Sequence, residues 1–181
     1  MANAYRWLLS QGIAANHVAL TGDSAGGGLA VTTLLRLREL TIPLPAATMP
    51  LSPWLDMEAK GETFVTNRDK DAIVAREMVQ GMAETFLGKA GNLKDPLANP
   101  LHGDLRSLPP VYIQVGSHET LLDDSRALAH ALRAADVEVK LDVYPEMQHV
   151  FHFLAGVAPE ADEAIGQLAA WVRPKLGLGA S

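Results

Sequence analysis

Apolar positions along the chain fall into two alternating patterns. Short apolar runs end at glycine or proline, and longer stretches repeat their apolar residues every three or four positions. In residues 4–11 the helical spacing puts Tyr5, Leu8 and Leu9 on one face, with Gly12 as a stop. Residues 17–22 read as a short buried strand ending at Gly22. A helix is predicted from Ala25 to Glu39, its apolar stripe formed by Leu29, Thr33, Leu34 and Leu37. Arg36, Arg38 and Glu39 face water, and Pro43 and Pro45 end the segment. Ala46–Leu51 is a second strand. Met78, Met82 and Phe86 share helical spacing and are expected in the core, with Gly88 closing that helix. Residues 89–110 carry Pro96, Pro100, Pro109 and Pro110 and read as a long connection. Val111–Val115 is the clearest strand. A helix over 123–135 follows, with Leu128 and Leu132 inward and Asp123 or Asp124 at its N-cap. Lys140–Tyr144 is a fourth strand. A last helix over 160–173 is expected to pack on Ile165, Leu168, Trp171 and Val172, and the tail 177–181 to fray. This alternation predicts an α/β fold of about four mostly parallel strands with helices on both faces, in one domain spanning 1–181.

Composition narrows the function classes. The net charge is −6, with no basic stripe, which argues against a nucleic-acid surface. Cysteine is absent, so thiol nucleophiles, disulfides and cysteine-bound zinc are excluded. No apolar run reaches the roughly 18–20 residues of a membrane span. Without a signal-peptide pattern at its start, the chain is expected to be cytoplasmic.

The chemistry concentrates where the first strand meets the following helix. Gly22-Asp23-Ser24-Ala25-Gly26 is a G-x-S-x-G match in strand–turn–helix context. A nucleophilic serine must project beyond the sheet on a tight turn. Glycines two before and two after it, Gly22 and Gly26, are expected to relieve Cβ clashes there. The helix start would aim the Ala25 N–H at a developing oxyanion. An anion-binding loop built on Gly26, Gly27 and Gly28 is the competing reading of the same glycines.

A serine hydroxyl needs a base, and the base an orienting carboxylate. Of six histidines, His17 lies at the wrong end of its strand, His102 in the proline-rich connection and His130 within a helix. His118 follows the third strand. His149 and His152 follow the fourth, and His149 is the better placed, because Phe151 and Phe153 suggest a helix starting at His152. For the acid, the loop after the third strand offers Glu119, Asp123 and Asp124. Glu119 lies just past the strand, and spacing alone leaves all three open.

Several segments, taken in order, resemble the hormone-sensitive-lipase-like esterases of the α/β-hydrolase superfamily. Gly22–Gly27 is similar to that family's nucleophile turn, Leu51–Asp56 to its post-strand segment, and Pro96–Pro100 with Leu108–Pro110 to the approach to its acid strand. Gly116–Ser125 is similar to its acid loop and Met147–Phe151 to its histidine loop. The resemblance implies Ser24 as nucleophile, His149 as base and Glu119 as acid, 30 positions before the histidine. The family's acid is usually Asp followed by Pro, whereas Glu119 and Thr120 stand here. The family's upstream half, with its His-Gly-Gly-Gly oxyanion segment and cap, has no counterpart in this sequence. The chain is therefore expected to be a truncated domain whose nucleophile strand forms a sheet edge, and to associate with copies of itself through that edge.

The resemblance implies a carboxylic ester hydrolase acting on small, short-chain esters through an acyl-enzyme, with no metal or organic cofactor. Loss of one oxyanion donor typically lowers kcat by ~10²–10³, so weakened turnover is expected. A catalytically impaired remnant acting as an interaction or structural protein is the alternative.

Overall fold

The computed structural model describes residues 1–179. The elements run α1 (Ala2–Ser10), β1 (Ala19–Asp23), α2 (Ala25–Glu39), β2 (Ala47–Leu51), α3 (Thr63–Thr66), α4 (Arg76–Leu87), β3 (Val111–Gly116), α5 (Leu122–Ala134), β4 (Val139–Tyr144) and α6 (Pro159–Lys175), with short 3₁₀ turns between. The four strands form one sheet in the order β1-β2-β3-β4, all pairs parallel. Parallel pairing sends every strand's C-terminal end to the same edge of the sheet, where α/β folds bind their ligands.

Every residue of β3 is buried, as a central strand covered on both faces requires. Val111 and Ile113 join the main apolar core with Leu34 and Leu37 of α2 and Leu128 and Leu132 of α5. Tyr112 and Gln114 point to the opposite face, against α6. There Tyr112 packs against Trp171 in a tilted arrangement with ring centroids 5.3 Å apart, and Gln114 Nε2 donates to the Ala164 carbonyl at 3.0 Å. Helices thus cover both faces, and β1 and β4 are the edge strands.

Four expectations from spacing are corrected. Met78, Met82 and Phe86 are exposed, Phe86 to 70%, while Val79 and Ala83 are the buried positions of α4. The helix forms where the spacing places it but lies on its smaller residues. Leu29 is likewise exposed, because α2 turns Ala30, Val31, Leu34 and Leu37 inward. In α6 the inward positions are Ala161, Ala164, Leu168 and Val172, and Ile165 is exposed. The start of the tail is tied down, since the Leu178 N–H donates to the Arg173 carbonyl and the Arg173 guanidinium to the Gly179 carbonyl. Ala180 and Ser181 lie outside the described residues.

Candidate active site

Ser24 stands between β1 and α2 with φ 52°, ψ −119°, a conformation rare for a residue with a side chain. Its N–H donates to the Leu51 carbonyl at 2.9 Å, and its carbonyl accepts from the Trp54 N–H at 2.9 Å. These bonds lock the turn onto the end of β2. Ala25 opens α2, so its N–H has no acceptor within the helix.

Gly22 relieves a clash as expected, and Gly26 does not. A Cβ on Gly22 would lie 2.4 Å from the Gly26 carbonyl oxygen, and one on Gly28 would lie 2.2 Å from that of Trp54. Gly26, in contrast, would carry a Cβ into open space. Close approach of backbones, rather than symmetry about the serine, decides which glycines the turn needs. Asp23 ends β1 with its side chain exposed.

The structure brings Glu119 and His149 together. His149 Nδ1 lies 2.9 Å from Glu119 Oε2, the carboxylate being wholly buried and the imidazole nearly so. The other oxygen, Oε1, accepts from the Gly116 N–H and from the Ser52 hydroxyl, each at 2.6 Å. Burial pushes the Glu119 carboxyl above the usual carboxylate range, and the bonds from His149, Ser52 and Gly116 pull it back. Gly116 is itself obligatory, since a Cβ there would meet the Met147 carbonyl oxygen at 2.1 Å. Ser24 lies on the same sheet edge, but no hydrogen bond joins its hydroxyl to His149 among the described residues. Catalytic hydrogen bonds are often long before substrate binds.

The competing acids go elsewhere. Leu121, not Asp123 or Asp124, occupies the N-cap of α5. Asp123 Oδ2 accepts from the Thr63 N–H at 3.0 Å. Asp124 Oδ2 accepts from the N–H groups of Leu55 and Asp56 at 2.8 and 2.9 Å, and burial pushes its carboxyl up to about 7. Of the other histidines, His118 is half-buried and its backbone N–H donates to the Met147 carbonyl at 3.2 Å. His152 is buried, its Nε2 3.0 Å from Gln114 Oε1, and burial pushes it down to about 4, so it stays neutral. His17 bonds the Leu176 carbonyl and His102 the Glu58 carboxylate, while His130 is exposed. Among the described residues no group of three or more His, Asp or Glu side chains converges as a metal site would, and no helix is long and apolar enough to cross a membrane.

Ser52 was missed by sequence reasoning. It directly follows β2, is wholly buried, has φ 43°, and accepts the Val150 N–H at 3.1 Å while donating to Glu119. Val150, beside His149, also has positive φ at 51°, which for a β-branched residue is strained. The position of Ser52 just beyond the second strand, at the edge that carries Ser24, was the available signal. Next to Ala25 lies a cavity of about 350 Å³ lined by Leu29, Trp54, Met57, Met82 and Phe86. Leu29, Met82 and Phe86, absent from the core, therefore gather beside the serine turn.

Residues 1–153 match the family described as alpha/beta hydrolase fold. The chain is 44% identical over 176 residues to an acetyl-hydrolase of Streptomyces hygroscopicus, covering 97% of this chain and 58% of that protein. Among solved structures, an esterase from the bacterial hormone-sensitive lipase family superposes with a TM-score of 0.94 at 48% identity, covering 96% of this chain and 58% of that one. The esterase EstE5, in crystals soaked with p-nitrophenyl butyrate, gives 0.93 at 37% identity, covering 97% and 59%. The chain thus spans a little under three-fifths of the length of these relatives and corresponds to their C-terminal part.

Proposed function

The chain belongs to the α/β-hydrolase fold family, among the esterases of the hormone-sensitive lipase group, and on that premise we propose that it hydrolyses short-chain carboxylic esters with Ser24 as nucleophile, His149 as base and Glu119 as acid. The observation that carries this reading is the buried contact between His149 Nδ1 and Glu119 Oε2 at 2.9 Å. It directs Nε2 as the proton acceptor and holds one tautomer of the ring. In the first step Ser24 Oγ attacks the ester carbonyl as its proton passes to His149 Nε2, and the Ala25 N–H receives the oxyanion. The protonated imidazole then gives its proton to the departing alkoxide. Water, deprotonated by His149, releases the acid and restores Ser24. No step calls on a metal or organic cofactor.

The cavity beside Ala25 supports an apolar substituent on the ester. The open edge of β1 is the surface through which, on this reading, copies of the chain pair.

The test is turnover of p-nitrophenyl butyrate, the compound soaked into the EstE5 crystals, together with labelling by a fluorophosphonate. Ser24→Ala should abolish both. Undiminished turnover in that variant would overturn the proposal, and absence of labelling in the wild-type chain would favour the impaired remnant.

A further inference from the structure

The segment between α3 and α4 makes contacts that the proposed mechanism does not use. Asp71 Oδ1 accepts the N–H groups of Ile73 and Val74, each at 2.9 Å, which folds residues 71–74 into a tight turn. Its other oxygen, Oδ2, accepts the Thr120 N–H at 2.7 Å and lies 3.0 Å from the Thr120 hydroxyl. That hydroxyl is also 3.2 Å from the Val74 carbonyl, so it donates to one of the two at a time. Thr120 is buried, and its carbonyl accepts from the Thr63 hydroxyl at 2.8 Å.

The same segment grips the acid loop a second time. Asn67 Nδ2 donates to the carbonyls of Ser117 and Glu119, at 3.0 and 2.8 Å. It also reaches the histidine loop, where Gln148 Oε1 accepts the Ala72 N–H at 2.9 Å and Gln148 Nε2 donates to the Lys70 carbonyl at 2.8 Å. Residues 67–74 therefore form a strap that fastens the residues flanking Glu119 to the residue preceding His149. A long, buried carboxylate such as Glu119 has more side-chain freedom to lose than a shorter one. Fixing its backbone on both sides restricts where its oxygens can go.

Resting on the triad reading above, we propose that Asp71 is a positioning residue: through Thr120 it holds the backbone at Glu119 so that the carboxylate meets His149 Nδ1. Asp71 touches neither substrate nor reacting atoms in this scheme. Its effect travels entirely through Glu119, which makes it separable from a general role in stability.

The experiment compares the wild-type chain with Asp71→Ala, Glu119→Gln and the double variant, with rates normalised to titrated Ser24. Asp71→Ala should lower kcat roughly 10- to 100-fold, as a misplacement near 1 Å does, and leave KM within about twofold. In the Glu119→Gln background the same change should lower kcat by less than about twofold, because the group it positions is already disabled. The downfield proton resonance of the His149 Nδ1–H, which reports its bond to Glu119, should shift or vanish in Asp71→Ala. If that variant does not fold, Asp71→Asn serves. It keeps one acceptor oxygen and sets an NH₂ against one side of the clamp, and the same loss is expected. A folded Asp71 variant with wild-type kcat and an unmoved resonance overturns the proposal, as does full additivity with Glu119→Gln. A wild-type chain with no Ser24-dependent turnover would refute the esterase reading instead, and the resonance would still decide the clamp.

Discussion

The turn around Ser24 and the loops around Glu119 and His149 stand at one edge of the same sheet, yet they are held by different means. The serine turn is secured by backbone, through the bonds to Leu51 and Trp54 and the close approach of Gly22 and Gly28 to the Gly26 and Trp54 carbonyls. The Glu119–His149 pair is secured by side chains from Ser52, Asn67 and Asp71, which lie 49 to 98 positions away from the groups they hold. The contrast follows from what each region must fix. A serine on a strained turn needs one backbone conformation, which local geometry can impose. A buried carboxylate facing an imidazole needs its charge solvated by hydrogen bonds, and those donors must come from elsewhere in the fold.

The largest expected effect tests the backbone side. Gly28→Ala should destabilise the protein by about 3 kcal/mol or more, because its Cβ would meet the Trp54 carbonyl oxygen, a backbone atom that cannot swing aside. Gly26→Ala, two positions earlier, should leave stability unchanged or raise it by up to about 1 kcal/mol, as alanine for glycine in an open helical position does. Thermal melts of the two variants would break the comparison if they shifted alike. On the side-chain region the expected effect is smaller and divided. Ser52→Ala removes the donor to Glu119 and the acceptor for Val150, so stability should fall by roughly 1–3 kcal/mol, with a further decrease in kcat and no change in KM. A loss of stability with kcat intact would show that Ser52 supports only the fold.

A pH-dependent effect concerns Asp124. Its carboxyl is raised to about 7 by burial, so the folded chain keeps a proton that the unfolded chain releases near pH 4. Stability linked to this group is therefore full below about pH 4, falls as pH rises toward 7, and levels off above that. Asp124→Asn retains an oxygen for the Leu55 and Asp56 N–H groups and has no charge to bury. Relative to wild type it should gain roughly 2–4 kcal/mol between pH 4 and pH 8. Denaturant melts across that range showing parallel curves for the two proteins would remove Asp124 from the account.

The alternation of strands and helices was legible because periodicities of about 2 and 3.6 report backbone state directly. The same periodicity misplaced Met82, Phe86 and Leu29. Spacing shows which residues share a face, and not whether that face meets the core or a cavity. Glu119 was legible as a residue just past a strand end, and His149 as the histidine preceding a new turn. Ser52 stands just past a strand end as Glu119 does, but its residue type names no role and its partner lies 67 positions away; Asp71, a loop aspartate, carried no such signal, and its partner lies 49 positions away.

By itself the sequence determined a parallel α/β sheet, a serine on a strand-to-helix turn, and the candidates for its acid and base. These depend on local spacing and on residue chemistry, which the chain order contains. Tertiary structure alone decided which carboxylate meets the imidazole, which glycines are obligatory, and where the apolar face of α4 points. Each of those is a matter of distance between segments remote in sequence, and a hydrogen bond or a clash changes sign within about an ångström.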